Sequence, residues 1–350
     1  MYTLKIGVIG AGYWGPNLLR NFVEIPDADA IAVADLDEER LRFVKKRYPS
    51  LMVTQDYHDL FELGLDAVAI ATPPSTHYAI ARDCLEHGLH VLVEKPITLS
   101  SHDAEMLVEL ADQRNLTLMV GHTFAYNPAV RALKEIIDSG ELGQVYYVDT
   151  VRVNLGLFQN QLNVLWDLAP HDISILRFIL GAEPIAVGAC GAACICSDIH
   201  DVAYLYLEFP DQVVAHSHIS WLDPAKVRRI TVVGSKKMLV YDDIEPLEKI
   251  RIYDKGIERL PHTDTFGDFQ LNYRYGDIVI PNIRFTEPLR IECQDFIDSV
   301  VNHTPPVSDG NDGLQVVKIL ELADCSLQQG NGRLHLPERE VHGRDALHAN

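Results

Sequence analysis

The chain has 350 residues, 47% of them hydrophobic and 23% charged, the composition of an ordinary globular protein with length for two domains. Its net charge of -20 weighs against nucleic acid and anionic membranes as partners, because both would repel it; a small anion held by a local site is still allowed. No apolar run reaches the ~18 residues of a membrane span, and MYTLKIGVIGAG enters a strand directly rather than as a signal peptide, so a cytoplasmic protein is expected.

In chain order, the first 122 residues alternate strand and helix. LKIGVIG reads as a β-branched strand closed by glycine, and NLLRNFVEI as a helix. AIAVADLD and EERLRFVKKRY repeat the pair, as do LDAVAIATPP and STHYAIARDCLEHG. HVLVEKP, SSHDAEMLVELADQRN and LTLMVGH complete the series. Apolar runs alternating with amphipathic helices imply parallel βαβ units with helices on both faces of the sheet. After His122 the rhythm changes. NPAVRALKEIIDSGELG is a helix, QVYYVDTVRVN alternates as a half-buried strand, and residues 184–253 give consecutive strands with short turns. Such a run predicts an antiparallel sheet. PLRIECQDFIDSVVNH and NDGLQVVKILELADCSLQQG read as closing helices, and residues 337–350 as a frayed tail. The predicted division is 1–122 for an α/β Rossmann domain with a parallel sheet. Residues 123–336 then form an α+β domain on a large open, mostly antiparallel sheet.

GVIGAGYWG places Gly10, Gly12 and Gly15 in G-x-G-x-x-G spacing between a strand and a helix. Gly10 permits the tight turn, Gly12 lets a pyrophosphate approach the backbone, and Gly15 lets the helix pack on the strand. Ala11, Tyr13 and Trp14 share that turn, and the helix N-terminus points its N–H groups at the phosphates. Asp35 ends the second strand, where its carboxylate accepts from an adenosine ribose and repels a 2′-phosphate. Leu36 and Asp37 follow it rather than Arg or Lys, which favours NAD over NADP. Glu94 and Lys95, in VLVEKP, stand at the carboxyl end of a strand, facing the ligand crevice of an open α/β sheet.

The glycine fingerprint, then ATPPSTH, EKP and DLAPH in that order, resembles the Gfo/Idh/MocA family (glucose-fructose oxidoreductase, inositol dehydrogenase, rhizopine catabolism) over roughly residues 3–330. The resemblance implies nicotinamide-linked oxidation or reduction of a secondary alcohol on sugars, polyols or nucleotide sugars. It implies that Lys95 is the active-site lysine, that Pro96 follows a cis peptide, and that Asp167 and His171 form the family's D-x-x-x-H pair. Thr72, Pro73 and His77 match the segment passing the nicotinamide ribose, and Asn127 with Pro128 lies where a linker meets cofactor and substrate. Where many members carry glycines before the D-x-x-x-H pair, this chain has NVLW.

Oxidising a secondary alcohol needs a base for the hydroxyl proton, donors for the developing alkoxide, and the carbinol hydrogen held against the nicotinamide. His171 suits the base near neutral pH. Lys95 donates to the same oxygen, and desolvation would let it serve as base instead; a shared relay is a third arrangement. Asp167 would orient the imidazole or bond a neighbouring hydroxyl. Pro170 favours the first helical turn, so the helix is expected to start near Ala169 or Pro170, leaving Asp167 upstream of it. His216 and His218 lack a third ligand, and no metal is expected.

Arg152, Asn154, Asn160 and Asn163, just before the pair, supply candidate donors for substrate hydroxyls or a phosphate, or line a solvated loop. Lys226, Arg228, Arg229, Lys236 and Lys237 form a basic cluster for a diphosphate, or a charged sheet edge. VRVNLGLF, WDLAPHD and FTEPLRIECQDFI resemble segments of the family's UDP-N-acetylglucosamine 3-dehydrogenase-like members. That implies a nucleotide sugar oxidised at C3 of a UDP-N-acetylhexosamine. A free polyol such as inositol is the alternative, and a non-catalytic NAD-binding sensor a third. The cysteines at 84, 190, 194, 196, 293 and 325 are scattered as reduced thiols, and the Cys190, Cys194 and Cys196 cluster reads as small residues in a buried strand. The exposed faces of an open sheet predict a homodimer or homotetramer.

Overall fold

Continuous apolar runs without polar alternation bury a strand on both faces, and they build the first sheet. The computed structural model describes residues 3–156, 158–159, 162–259, 271–329 and 332–336. The first part runs β1 (Leu4–Ile9), α1 (Gly15–Glu24), β2 (Ala28–Ala34), α2 (Glu38–Arg47), β3 (Met52–Thr54), β4 (Ala67–Ile70), α3 (His77–Glu86), β5 (His90–Glu94), α4 (Ser101–Arg114) and β6 (Leu118–Gly121). The strands pair in parallel in the order β3-β2-β1-β4-β5-β6. The order reverses between β1 and β4, so the crevice at their carboxyl ends is the switch point where ligands bind in such sheets. Three-residue β3 was not foreseen, because it is too short to carry a period.

The second part contains α5 (Pro128–Asp138), β7 (Val145–Val153), α6 (Val164–Leu180), β8 (Ala186–Ala192), β9 (Val202–Glu208), β10 (Val214–Ser220), β11 (Val227–Gly234), β12 (Met238–Asp242), β13 (Ile250–Arg259) and β14 (Leu271–Val279). It closes with α7 (Pro288–Asn302), α8 (Gly310–Gln328) and β15 (Leu334–His335). Nine strands form one open sheet, β14-β13-β12-β11-β7-β10-β9-β8-β15, antiparallel except where β7 meets β10. Along β7, Val148, Thr150 and Arg152 are buried on the inner face while Tyr147 is exposed on the other. Helix α6 packs on the inner face, joining Leu165, Ile173, Leu176 and Ile179 to Leu205, Ala215 and Ile219 of the sheet.

Three expectations are corrected. First, α6 begins at Val164, not at Pro170: Asn163 caps it, its Oδ1 accepting from the N–H groups of Leu165 and Trp166. Pro170 therefore lies inside the helix. An interior proline costs ~3 kcal/mol, but fully burying each of Leu165, Ile173, Ile175, Leu176 and Ile179 contributes about 1.5–3 kcal/mol, so packing wins. Second, Cys190, Cys194 and Cys196 are exposed rather than buried; the outer end of β8 leaves the core there. Third, β11, which carries Arg228 and Arg229, is not an edge but lies between β12 and β7. Helix α7 packs on the first part, and α8 lies between the two, with Val316, Ile319, Leu320 and Ala323 joining the core of the second. Leu289, Cys293, Phe296 and Ile297 join the core of β1 and α1, and Leu314 and Val317 that of β4 and β5. Strand β14 was not read from the sequence, and the tail 337–350 lies outside the described residues.

Candidate active site

The nucleotide turn is backbone-built. Gly10 has φ 97°, and a Cβ there would sit 2.6 Å from the Ala71 carbonyl oxygen; at Gly15 it would overlap the Gly10 carbonyl at 1.9 Å. At Gly12 it would meet only the tip of Arg40, at 3.5 Å, so this side of the turn is open for a pyrophosphate. No side chain caps the start of α1, which leaves its N–H groups directed at that opening. Asp35 shapes the turn: its carboxylate accepts from Ala11 N–H at 2.6 Å and from Asp37 N–H at 2.8 Å. These residues fit a dinucleotide. Gly10, Ala11 and Gly12 would hold the pyrophosphate, and Asp35 the adenosine ribose. Arg40, which the sequence reading passed over, reaches within 3.6 Å of Asp35. Tyr13 is 90% exposed, and the Trp14 indole nitrogen is buried without a partner.

His77 acts as a pin between two segments. It is fully buried, with Nδ1 2.8 Å from the Pro96 carbonyl and Nε2 2.8 Å from the Thr72 carbonyl. It thus ties ATPP to EKP. The Thr72 hydroxyl accepts from Thr76, and Pro73 leads into the 3-10 turn before α3. The Lys95–Pro96 peptide is cis. Glu94, half-buried with its Oε1 shielded, lies beside the buried Glu292 of α7, which the sequence reading missed. Burial pushes the Glu94 carboxyl up to about 7 against the pull of Lys95. Burial and the Glu94 charge push Glu292 well above the usual range.

Lys95 leaves the end of β5 and meets α6. Its Nζ donates to the Asp167 backbone carbonyl at 2.8 Å and lies 3.9 Å from the Asp167 carboxylate. Burial pulls its pKa down, with Asp167 and Glu94 opposing. The other Asp167 oxygen accepts from Trp221 Nε1 at 2.9 Å. Asp167 and His171 lie one turn apart on one helix, but Asp167 bonds Lys95 and Trp221 rather than orienting the imidazole. His171 packs edge-on to Phe124, ring centroids 5.2 Å apart. Its Nδ1 is buried without a partner, which leaves Nε2 as the nitrogen available to a ligand. Burial, reinforced by Lys95, Arg152 and Arg228, holds its pKa well below the ordinary value, so the ring is neutral and able to accept a proton.

Three further substrate or cofactor candidates make scaffold contacts. Arg152 is 4% exposed and gives Nε and Nη2 to Asp172, at 2.8 and 3.1 Å. That pair locks α6 to β7 beside His171. Asn163 caps α6 and donates to Asp324 at 2.6 Å. Asn127 caps α5 and donates to the Tyr241 hydroxyl at 3.3 Å. Asn154 stands near Trp221 across Gly156, and Asn160 lies outside the described residues. Arg228 is directly opposite Arg152 in the β11–β7 register. Like charges so placed oppose each other. Arg152 has Asp172, whereas the Arg228 Nε is buried without a partner and its nearest carboxylate, Asp243, is 3.9 Å away. Alternation along each strand was readable, but not which strands would be neighbours. Among the described residues, no three His, Cys, Asp or Glu side chains gather as a metal site, and no helix is long and apolar enough to cross a membrane.

Comparison with known proteins agrees with this geometry. Residues 4–122 match the profile described as the oxidoreductase family with NAD-binding Rossmann fold, and residues 130–240 match the GFO/IDH/MocA C-terminal domain. A UDP-N-acetylglucosamine 3-dehydrogenase of Acidithiobacillus ferrooxidans is 27% identical over 325 residues, 91% of this chain and 95% of that one. A solved UDP-N-acetylglucosamine 3-dehydrogenase from the same species superposes with a TM-score of 0.77 at 25% identity, covering 94% of this chain and 99% of the other. A myo-inositol 2-dehydrogenase of Thermotoga maritima is 26% identical over 349 residues, 93% and 97% of the two chains. The cofactor is NAD, and the reaction is oxidation or reduction at a CH–OH group. The chain belongs to the Gfo/Idh/MocA oxidoreductase family.

Proposed function

We propose that this protein oxidises a secondary alcohol of a nucleotide sugar with NAD, at C3 of a UDP-N-acetylhexosamine. The observation that carries the reading is Arg228. A half-buried guanidinium with an orphaned Nε, set opposite a second arginine, is costly unless a ligand brings negative charge. A nucleotide sugar brings a diphosphate; a free polyol does not. The 3-dehydrogenase relative supports the same class.

Bound NAD supplies the hydride acceptor. His171, held neutral, takes the hydroxyl proton at Nε2. Lys95 donates to the same oxygen, and Asp167 holds Lys95 in place through its backbone carbonyl and carboxylate. Oxidation of a free polyol is the second reading, favoured by the inositol dehydrogenase relative of nearly the same coverage. The outer face of the nine-stranded sheet, where Tyr204 stacks on His218 at 4.6 Å, is the surface through which copies would pair as a dimer or tetramer. The free thiols fit a cytoplasmic setting.

The test is NADH formation with UDP-N-acetylglucosamine, related UDP-sugars and inositols, using the native protein and Arg228→Ala. Turnover of a UDP-sugar whose KM rises at least ten-fold in Arg228→Ala is expected. Turnover of inositol alone, with KM unchanged in the variant, would replace this reading by the second.

A further inference from the structure

Trp221, just past β10, is 1% exposed and offers a substrate almost no surface, yet its indole ends on the site. Nε1 donates to one oxygen of Asp167 at 2.9 Å, and the other oxygen stands 3.9 Å from Lys95 Nζ. Lys95 makes its direct bond elsewhere, to the Asp167 backbone carbonyl at 2.8 Å. A buried indole N–H needs an acceptor, and any carbonyl would satisfy it. Here it takes a carboxylate whose charge faces a lysine. The direction of the indole is fixed on several sides. Trp221 N–H donates to the Asp201 carbonyl at 3.0 Å, and the Trp221 carbonyl accepts from Gly156 N–H at 2.9 Å. A Cβ at Gly156 would stand 2.9 Å from Trp221 Cδ1, and the Phe158 ring lies 5.4 Å away, centroid to centroid. The neighbouring carbonyl, of His200, accepts from Val164 N–H at 2.9 Å. Residues 200 and 201 therefore hold both the tryptophan and the first turn of α6, which sets the indole against Asp167.

A lysine ammonium has three N–H groups. One donates to the Asp167 carbonyl, which leaves two. A rotation of the Asp167 side chain would close the 3.9 Å gap and occupy a second. We propose that Trp221 is a positioning residue: its indole N–H holds the Asp167 carboxylate back from Lys95, which keeps two ammonium N–H groups for the substrate oxygen. This role rests on the reading that Lys95 donates to that oxygen. The distance also sets the acidity of the ammonium. Attraction falls with separation, so a carboxylate at 3.9 Å supports the positive charge less than one in contact. Burial pulls the Lys95 pKa down, Asp167 of α6 and Glu94 of β5 oppose it, and Arg152 of β7 and Arg228 of β11 add to the pull. His77, His122 and His171 stand near, each held neutral by burial. A more acidic ammonium is a stronger donor to a developing alkoxide. Without the indole N–H, Asp167 would turn to Lys95, occupy a donor and raise its pKa.

The test compares native protein, Trp221→Phe, and a protein with benzothienylalanine at position 221, an isostere of tryptophan in which sulfur replaces the N–H. The substrate is UDP-N-acetylglucosamine, or myo-inositol if that is what turns over. In both variants kcat should fall about ten-fold, the worth of one hydrogen bond, with KM and NAD affinity within about two-fold. The alkaline limb of kcat, where Lys95 loses its proton, should move up by about one pH unit. A reading without substrate should move the same way: the midpoint of Lys95 acetylation by trace acetic anhydride, followed against pH by mass spectrometry. The isostere keeps the shape of the indole, so a folding defect in Trp221→Phe leaves the comparison intact. A kcat within about two-fold of native in the isostere would overturn the proposal. So would a loss of rate with the limb and the acetylation midpoint unmoved, which is what a purely structural tryptophan gives. Native-like turnover in Lys95→Ala would instead remove the reading of Lys95 on which the role rests.

Discussion

The two halves of the candidate active site are built by different means. On the cofactor side, the backbone does the work in one local stretch: Gly10, Gly12 and Gly15 shape the turn, and α1 offers its N–H groups. On the substrate side, side chains from distant parts of the sequence converge. Lys95 comes from the end of β5, Asp167 and His171 from α6, Trp221 from just past β10 and Arg228 from β11. A nucleotide pyrophosphate can be recognised by a local turn because backbone N–H groups are everywhere. A particular hydroxyl needs particular side chains, which only sheet register and helix packing bring together. The cofactor half should therefore respond to substitution in affinity, and the substrate half in rate and stability.

The largest expected effect tests that split directly. Lys95→Ala should lower kcat by about 10²–10⁴-fold while NAD affinity, followed by fluorescence titration, changes little. A native rate would remove Lys95 from the mechanism. Next is the scaffold under His171. Asp172→Asn leaves the Arg152 guanidinium, 4% exposed, without its carboxylate, and breaking such a pair costs about 3–5 kcal/mol. A thermal melt should show a clear drop in Tm, with kcat falling as His171 loses its anchor; an unchanged melt would mean the pair is not structural.

A smaller effect is expected on the cofactor side. Asp35→Ser removes the carboxylate that bonds Ala11 and faces Arg40. NAD affinity should weaken roughly ten-fold, about 1.4 kcal/mol, and NADP should gain, because Arg40 would then face a 2′-phosphate unopposed. An unchanged NAD-to-NADP ratio in kcat/KM would sink the ribose role. The smallest change sought is the position of a pH limb. A base works deprotonated, and the His171 pKa is lowered, so the acid limb of kcat should fall below pH 6.5 and the rate stay flat through neutrality. A limb at higher pH would assign the base to Lys95.

Much of the cofactor half was legible because its signals are local. Glycine spacing between a strand and a helix, and an acid closing the next strand, require no knowledge of what lies across the sheet. Lys95, Asp167 and His171 were singled out through resemblance to a family, since single charged residues near apolar runs have many uses. Asn127, Asn163 and Arg152 looked like free donors and are caps and a buried ion pair. Pro170 misled, because intrinsic preference puts proline in a first turn while apolar burial around it holds a helix that starts six residues earlier.

By itself the sequence determined the parallel sheet, the glycine turn, the chemistry of the candidate residues and the faces their periods assign them. Those follow from dihedral freedom and from periods of 2 and 3.6, which are properties of neighbouring residues. Tertiary structure alone decided which strands are neighbours. It put β7 between β10 and β11, brought Arg228 opposite Arg152, and gave Asp167 to Lys95 and Trp221 instead of His171. The reason is that pairing across a sheet and burial against a helix join residues far apart in sequence, and no local pattern encodes those distances.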